Sequence, residues 1–133
     1  MKKILAVLIA ALMMLGTLVG CGEKKEFATD SEYILDKGTL IVGITDFAPM
    51  DYKDEDGNWI GFDADMATKF AEYIGVEVEF LELADWGKKF MDLQAGTIDC
   101  VWNGMTITDE AKANASVSNP YVRNAQVLVM KAD

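Results

Sequence analysis

The pattern of apolar and polar positions divides residues 31–130 into alternating helices and strands. Residues 39–44 are continuously apolar and rich in β-branched side chains, which predicts a strand buried on both faces. Residues 76–83 alternate between apolar and polar positions and predict a second strand. The apolar runs 98–102 and 125–130 predict a third and a fourth strand.

Helices are predicted in the intervals between these strands. Residues 31–38 predict a short helix that ends in glycine. Residues 63–74 carry an apolar stripe at helical spacing, with Asp63 as the expected N-cap. Residues 85–95 predict a further helix whose apolar face is formed by Trp86, Phe90 and Leu93. Strand–helix–strand–helix–strand is a βαβαβ unit, so the pattern predicts an α/β fold with a parallel sheet.

The N-terminus has the pattern of a secretion signal. Two lysines after Met1 precede the apolar run 4–19. A bilayer span needs about 20 apolar residues, so this run is short for a transmembrane helix. It ends in Leu-Val-Gly-Cys and resembles the lipobox of bacterial lipoproteins, which implies that Cys21 is lipid-modified and becomes the new N-terminus. The alternative is an ordinary secretory signal with a chance cysteine. We expect a lipoprotein signal peptide over 1–20 and a tether over 21–31.

Charge and composition narrow the possible functions. Without the two lysines of the signal peptide, 10 basic residues stand against 22 acidic ones, a net charge of −12. This charge argues against nucleic acid or anionic lipid as a partner. The sequence has no histidine, which excludes the hydrolase triads that need one. With Cys21 lipidated, Cys100 has no disulfide partner, and its apolar strand predicts an inert core thiol. No cofactor and no metal ion are predicted.

Each of the first three predicted strands is followed by an aromatic residue with polar neighbours. Ligands of open parallel sheets bind beyond the carboxyl ends of the strands, so these segments are expected to converge on one apolar cradle with a few polar groups. The aromatic residues are Phe47, Trp86 and Trp102. Gly104 supports this interpretation, because a position without a side chain lets a ligand approach the backbone. The alternative is that each aromatic side chain packs in the core.

The acidic segments have simpler explanations than metal binding or catalysis. Residues 54–58, DEDGN, would need an acidic residue at position 52 to form an EF-hand calcium loop, and Tyr52 stands there. They predict a tight turn between two short extended pieces. Asp63 and Asp65 could form a carboxylate pair for acid–base chemistry, but helix capping is the expected role.

Thr108 predicts another helix start, whose free N–H groups favour an anion such as a carboxylate. The alternative is that Asp109 and Glu110 satisfy this helix end themselves. Both can hold, because the loop N–H groups of Met105 and Thr106 remain free.

Four segments carry a resemblance to a known family: GTLIVGITDFAP, GFDADMATKFAEYIG, LQAGTIDCVWNGMTITDE and NPYVRNAQVLVMKAD. They resemble the polar amino-acid solute-binding proteins of ABC importers, bacterial extracellular solute-binding family 3. The resemblance implies a periplasmic-binding-protein-like (type II) lobe with a parallel βαβαβ core. Residues 32–133 would be the N-terminal part of lobe I and end at the crossover to a second lobe.

Members of this family are two-lobed clamps that close on one amino acid and deliver it to a membrane permease. The resemblance therefore implies an extracytoplasmic binding protein, not an enzyme, which is held at the membrane by its lipid anchor. Its partners would be an amino acid and the subunits of an ABC permease. The implied ligand-binding residues are Phe47, Trp86, Asn103, Gly104, Thr106 and Asp46. Most of them also lie at the strand ends.

Two departures from the family pattern affect ligand binding. Family members commonly have an arginine directly after the T-x-E segment, where it grips the α-carboxylate of the ligand, and here Ala111 stands at that position. Lys112 would lie about 100° further round the helix and lacks the planar fork of arginine. The sequence also stops at Asp133, before the second lobe that supplies an acidic partner for the ligand's ammonium group. We therefore expect the chain alone to bind amino acids weakly or not at all.

Three other functions fit parts of the sequence. The same module could be the extracellular domain of a receptor, which would continue into a transmembrane helix. A dehydratase-type enzyme on this fold would need Asp46 or Asp85 as its acid or base. A small structural lipoprotein would leave the aromatic strand ends unexplained.

Overall fold

The structure, a computed structural model, describes residues 25–132. The expected signal peptide, its lipidation site Cys21 and the first part of the expected tether lie outside the described residues. In chain order, the elements are α1 (Asp30–Lys37), β1 (Thr39–Ile44), β2 (Tyr52–Lys53), β3 (Trp59–Ile60), α2 (Phe62–Ile74), β4 (Glu77–Glu82), a 3₁₀ turn (Trp86–Lys88), α3 (Lys89–Gln94), β5 (Cys100–Val101) and α4 (Asp109–Asn114). None of the helices in this part of the chain is both long and apolar enough to cross a membrane.

Three parallel strands form the main sheet, in the order β4–β1–β5. Strand β1 is central and pairs with β4 along its whole length, from Thr39 beside Glu77 to Ile44 beside Glu82. Its pairing with β5 covers two residues of each strand. The predicted parallel βαβαβ core is confirmed. Because the strands run in the same direction, their carboxyl ends lie at one edge of the sheet.

Helix α2 covers one face of this sheet. Its Ala67 and Ala71, one helical turn apart, pack with Leu40 and Val42 of β1, and each of the four residues is at most 2% exposed. Four larger apolar residues of the helix remain more than 40% exposed: Phe62, Met66, Phe70 and Tyr73. The buried stripe of α2 therefore consists of small residues, which allow the helix backbone to lie close to the sheet.

The opposite face of β1 is also covered by apolar side chains. Gly43 lies against the side chains of Ile98 and Leu83. Both of these residues are buried, as is Phe90 of α3. Strand β1 is thus enclosed on both faces, as its continuous apolar pattern predicted.

One buried carboxylate joins three elements of the sheet layer. Lys37 Nζ, at the end of α1, lies 2.8 and 2.6 Å from the two carboxylate oxygens of Asp99. The backbone N–H of Ile41 in β1 donates to the same carboxylate at 2.6 Å. Asp99 directly precedes β5. The neighbouring Cys100 is a free thiol, and burial, followed by the charge of Asp99, raises its pKa to about 12. A thiol with this pKa is almost entirely protonated at neutral pH, in agreement with the predicted inert core cysteine.

Two predicted strands differ from the structure. Within the predicted strand 98–102, only Cys100–Val101 has strand geometry. Residues 125–130 form no strand, and their apolar side chains are exposed, with Leu128 at 83% and Val129 at 87%. A strand needs a neighbour to pair its backbone N–H and C=O groups, and none of the described strands pairs with this segment. Its apolar pattern alone is not sufficient.

The predicted N-cap of α2 is also wrong. The cap position is Gly61, and Asp63 lies inside the first helical turn, fully buried. Main-chain acceptors replace the side-chain cap, because the N–H groups of Phe62 and Asp63 donate to the carbonyl oxygens of Pro49 and Met50. The carboxylate of Asp63 is therefore free for another role.

Candidate functional site

An open cleft of about 960 Å³ lies at the carboxyl ends of the parallel strands. Five of the six predicted ligand-binding residues line it: Phe47, Trp86, Asn103, Gly104 and Thr106. The sixth, Asp46, is exposed and lies outside the lining. The structure thus brings together residues that are up to 59 positions apart in the sequence, because three strand ends meet at this edge.

The backbone around Phe47 fixes its ring at the cleft. The Phe47 N–H donates to the carbonyl oxygen of Asp51 at 2.6 Å, and the Asp51 N–H donates back to Phe47 at 3.1 Å. This closed loop rests on Gly61, which has a φ of 119° and where a Cβ would overlap the carbonyl groups of Pro49 and Met50. Only glycine fits there. The Phe47 ring is 52% exposed, so one face can pack against a ligand.

Trp86 begins the 3₁₀ turn that follows β4. The predicted helix 85–95 is divided here into this turn and α3, because the Asp85 carboxylate accepts the Gly87 N–H at 2.9 Å and caps the turn. Asp85 is therefore a capping residue, and its carboxylate also lies 3.6 Å from the Nζ of Lys88. The turn presents the Trp86 side chain to the cleft.

Asn103 joins the ends of β1 and β5. Its Oδ1 accepts the backbone N–H of Thr45 at 2.8 Å, and its Nδ2 donates to the Thr45 hydroxyl at 2.6 Å. The side chain is 7% exposed. A primary amide has two N–H groups and two lone pairs, so the two bonds to Thr45 use half of this capacity. The main structural effect of Asn103 is to hold the two strand ends together.

The loop after Asn103 offers backbone donors to the cleft. No described residue accepts a hydrogen bond from the backbone N–H of Gly104, Met105 or Thr106. Gly104 has a φ of 58°, which a side chain would make unfavourable, and a Cβ there would lie 3.4 Å from the Phe47 ring. Thr108 caps α4 as predicted, its hydroxyl accepting the Ala111 N–H at 3.1 Å. The loop therefore has three backbone donors in the cleft lining without an acceptor among the described residues.

Trp102 does not belong to the cleft. Its ring packs against Phe70 of α2, with ring centroids 5.9 Å apart, and against Tyr121 at 6.5 Å. Side chains alternate along a strand, so Trp102 shares the α2 side of the sheet with Cys100. The expectation that all three aromatic strand ends converge is wrong for this residue. Of the three predicted aromatic residues, Phe47 and Trp86 line the cleft.

Two buried carboxylates, Asp51 and Asp63, lie behind Gly104. Both residues are fully buried, and a Cβ at Gly104 would lie 3.4 Å from Asp63 Oδ2. Burial, followed by the charge of Asp63, raises the pKa of Asp51 to about 7. The Tyr121 hydroxyl donates to Asp63 Oδ1 at 2.8 Å, and burial together with this bond raises the pKa of Tyr121. Asp63 thus interacts electrostatically with Asp51, without a hydrogen bond between the two carboxylates, whereas Asp65, the partner considered from the sequence, is exposed.

The turn at 54–58 is a hairpin, as predicted. Strands β2 and β3 pair antiparallel on its two sides. The Asp54 carboxylate accepts the backbone N–H groups of Asp56 and Asn58, and the bonds from Asn58 lower its pKa. Within residues 25–132, no group of three or more histidine, cysteine, aspartate or glutamate residues is arranged to hold a metal ion.

Two further residues of the lining bear on ligand binding. Ala111, where the sequence resemblance led us to expect an arginine, is 1% exposed and places a methyl group in the cleft wall. Lys89 was missed by the sequence predictions, although it also lines the cleft. A signal for it exists, because it stands three residues after Trp86 and next to Phe90, on the face expected to be apolar. A lysine on such a face is either buried or extends past its apolar neighbours so that its ammonium group contacts solvent.

The chain matches the bacterial extracellular solute-binding proteins, family 3, over residues 40–133. It belongs to this family. The L-cystine-binding protein TcyJ of Escherichia coli (strain K12) is 32% identical over 125 residues, which cover 91% of this chain and 47% of TcyJ. The chain spans about half the length of the curated relatives that it matches. Family members are extracellular or periplasmic solute-binding proteins, and the relatives include amino-acid-binding proteins.

Solved structures confirm the expected type II periplasmic-binding-protein fold. The arginine-bound form of domain 1 from TmArgBP, the ArgBP of T. maritima, is 38% identical with a TM-score of 0.63, covering 67% of this chain and 71% of that chain. An ancestral cyclohexadienyl dehydratase is 39% identical with a TM-score of 0.68, covering 74% of this chain and 41% of that chain. Similar proteins on this fold therefore include both binding proteins and an enzyme.

Proposed function

We propose that the chain is the ligand-contacting part of an extracytoplasmic protein that captures a small amino acid and delivers it to the permease of an ABC importer. The observation that carries this proposal is the composition of the strand-end cleft. Two aromatic side chains, Phe47 and Trp86, lie in one cleft with the unpaired N–H groups of residues 104–106. Aromatic faces suit the apolar part of an amino acid, and backbone donors suit its carboxylate.

The similar proteins support an amino acid as the ligand. The solute of TcyJ is L-cystine, and domain 1 of TmArgBP has been crystallised with arginine. The second case also bears on the expectation that this chain alone binds weakly or not at all. In TmArgBP a single domain holds its ligand without the rest of the protein, so we propose that the described cleft binds amino acids measurably by itself.

The proposal includes a lipid anchor at Cys21, after a signal peptide over 1–20 and a tether over 21–31. The sequence resemblance to a lipobox supports it, and the net charge of −12 suits a domain held off an anionic membrane surface. Labelling of the expressed protein with a palmitate analogue tests it. Label should be lost in Cys21→Ala, and label retained in that variant would contradict the anchor.

Calorimetry of the purified protein with L-cystine, L-arginine, L-histidine, L-glutamine and L-glutamate tests the binding function. At least one of them should bind, and Phe47→Ala should weaken that binding by roughly tenfold or more through loss of one buried aromatic face. Tyr73→Ala is the matched control, because Tyr73 is an exposed aromatic residue on α2, outside the cleft. No binding by any probe, or equal losses in both variants, would contradict the proposal.

Catalysis is the second candidate, because a dehydratase is among the similar structures. The two residues expected to act as its acid or base are poorly placed for that role, since Asp46 lies outside the cleft lining and Asp85 caps the 3₁₀ turn. We therefore propose binding without chemical change. Mass spectrometry of the bound amino acid after prolonged incubation should recover it unchanged, and a dehydrated or deaminated product would establish an enzyme instead.

A further inference from the structure

Lys89 is a buried cation in the wall of the cleft. It is the first residue of α3 and lines the same cleft as Trp86 and Ala111. The residue is only 9% exposed. Lysine is almost never buried to this extent unless its charge is paired.

The contacts of Lys89 satisfy its ammonium group incompletely. Nζ donates to the carbonyl oxygen of Trp86 at 3.3 Å. It also lies over two aromatic rings, 4.7 Å from the Trp86 centroid and 4.5 Å from that of Phe90. An ammonium group has three donors, and two of them have no acceptor among the described residues.

The other lysines of the folded region are all paired. Of the seven lysines in residues 25–112, six lie within 4.0 Å of a carboxylate oxygen: Lys25, Lys37, Lys53, Lys69, Lys88 and Lys112. Lys89 is the exception within this part of the structure, and it is also less exposed than its neighbour Lys88. In a chain with 22 acidic residues, a buried lysine without a carboxylate is unusual.

Burial of a charge without a counter-ion is unfavourable, and the two aromatic faces and one carbonyl offset it only in part. An anion in the cleft would complete the pairing. The cleft supplies further donors for such an anion in the unpaired N–H groups of Gly104, Met105 and Thr106. No other basic residue of the described part of the chain lines it. Ala111 carries only a methyl group, and Lys112 is exposed and lies 4.0 Å from Asp109.

We infer that Lys89 binds a carboxylate of the amino-acid ligand and takes the place of the arginine that is absent at Ala111. The inference rests on the proposed function and names the charged group that recognises the ligand. The carboxylate of an amino acid has two sources, the α-carboxylate and an acidic side chain. Both would meet the same ammonium group in the same cleft, so the test has to separate them.

Calorimetry of the purified protein compares Lys89→Met with Lys88→Met, which makes the same substitution at the exposed neighbour. Lys89→Met should weaken binding of the amino acids that the wild type binds by roughly tenfold or more, the size expected for a lost hydrogen bond between charged groups. Lys88→Met should change affinity by less than about twofold, as is usual for an exposed charge. Lys89→Arg, which keeps the charge, should restore most of the affinity.

Two pairs of probes separate the sources of the carboxylate. L-Arginine and L-argininamide differ at the α-carboxylate, and L-glutamate and L-glutamine differ at the side chain. If Lys89 binds the α-carboxylate, the wild type should bind L-argininamide more weakly than L-arginine. Lys89→Met should then leave the affinity for L-argininamide unchanged. If Lys89 binds the side chain, only L-glutamate should depend on Lys89. Equal affinity of the wild type and Lys89→Met for every probe that binds would overturn the inference.

A second measurement decides the case in which no probe amino acid binds. Acetate is titrated into protein labelled with ¹³C-lysine, and the Cε resonance of Lys89 is assigned by its loss in Lys89→Met. A saturable shift of this resonance would support Lys89 as a carboxylate site while the proposed amino-acid function fails. An unmoved resonance would overturn the inference together with that function. Thermal unfolding confirms that each variant is folded.

Discussion

Two buried charged sites, one in the cleft wall and one behind Gly104, accommodate their charges in different ways. On the cleft side, Lys89 has aromatic faces and one carbonyl but no carboxylate among the described residues. Behind the glycine, Asp51 and Asp63 bring two like charges together. Asp63 receives the Tyr121 hydroxyl, and the raised pKa of Asp51 allows a proton to remove its charge near neutral pH.

The difference shows which kind of buried charge indicates a binding site. A carboxylate pair that takes up one proton carries one negative charge instead of two, so the repulsion between its members is removed without an external cation. Neither Asp51 nor Asp63 lines the cleft. Among the described residues, Lys89 has no carboxylate within 4.0 Å, although Glu110 lines the same cleft, and this cleft is open to solutes. A buried charge alone therefore does not indicate a binding site. A buried charge that is accessible from a cleft does indicate one.

The largest expected effect concerns the pH dependence of stability. Because the folded state raises the pKa of Asp51 from 3.8 to about 7, it binds more protons than the unfolded state between these values. The free energy of unfolding should fall as the pH rises through this window and level off above it, with a total loss of up to about 4 kcal/mol. Urea denaturation from pH 4 to pH 8 measures it.

Asp51→Asn tests whether this slope comes from the carboxylate pair. The variant cannot acquire the buried charge, so its stability should be nearly constant from about pH 4 to pH 7 and exceed that of the wild type at pH 8. Asp46→Asn is the matched control, since Asp46 is exposed. A slope that persists unchanged in Asp51→Asn would show that the proton is taken up elsewhere.

A smaller effect is expected on the cleft side. Lys89→Met removes an incompletely paired buried charge and keeps most of the side-chain volume, so the free energy of unfolding should stay the same or rise by up to about 2 kcal/mol. Chemical denaturation without ligand measures this difference. A fall of more than about 1 kcal/mol would mean that the ammonium group is a structural element, as the carboxylate pair is.

An effect of similar size and opposite sign is expected at Tyr121. Tyr121→Phe removes the hydroxyl that donates to Asp63 and leaves that buried oxygen unpaired, at a cost of about 1–2 kcal/mol. Tyr73→Phe removes a hydroxyl from an 86% exposed residue and should change stability by less than about 0.5 kcal/mol. Urea denaturation at pH 8 compares the two variants. Equal stabilities of the two variants would mean that the Tyr121 hydroxyl does not stabilise the carboxylate site. The carboxylates would then lack the internal partner that distinguishes them from Lys89.

The sequence was sufficient to predict the sheet and the place of the cleft. The apolar run 39–44 and the alternation of 76–83 are local patterns, and the structure has strands at Thr39–Ile44 and Glu77–Glu82. Parallel strands carry their ligands at the carboxyl ends, so Phe47 and Trp86 could be placed in one cleft before any coordinates. Gly104 followed from the same argument.

The remainder depends on contacts between distant segments. Trp102 lies on the side of the sheet that α2 covers. Strand β5 has only two residues, and so short a sequence pattern does not show which side chains face α2. The interaction of Asp51 with Asp63 follows from the docking of one loop on the start of α2. Residues 125–130 have the apolar pattern of a strand but no described strand to pair with. Lys89 was overlooked although it stands on the apolar face of the predicted helix, because that position does not show whether the ammonium group lines the cleft or reaches solvent elsewhere.

The most direct test of the central claim is a crystal structure of the purified protein with the amino acid that binds it best in calorimetry. The account predicts the ligand in the strand-end cleft, packed against Phe47 and Trp86, with a carboxylate oxygen about 3 Å from Lys89 Nζ. A ligand whose carboxylates lie away from Lys89, or a ligand bound outside this cleft, would contradict it.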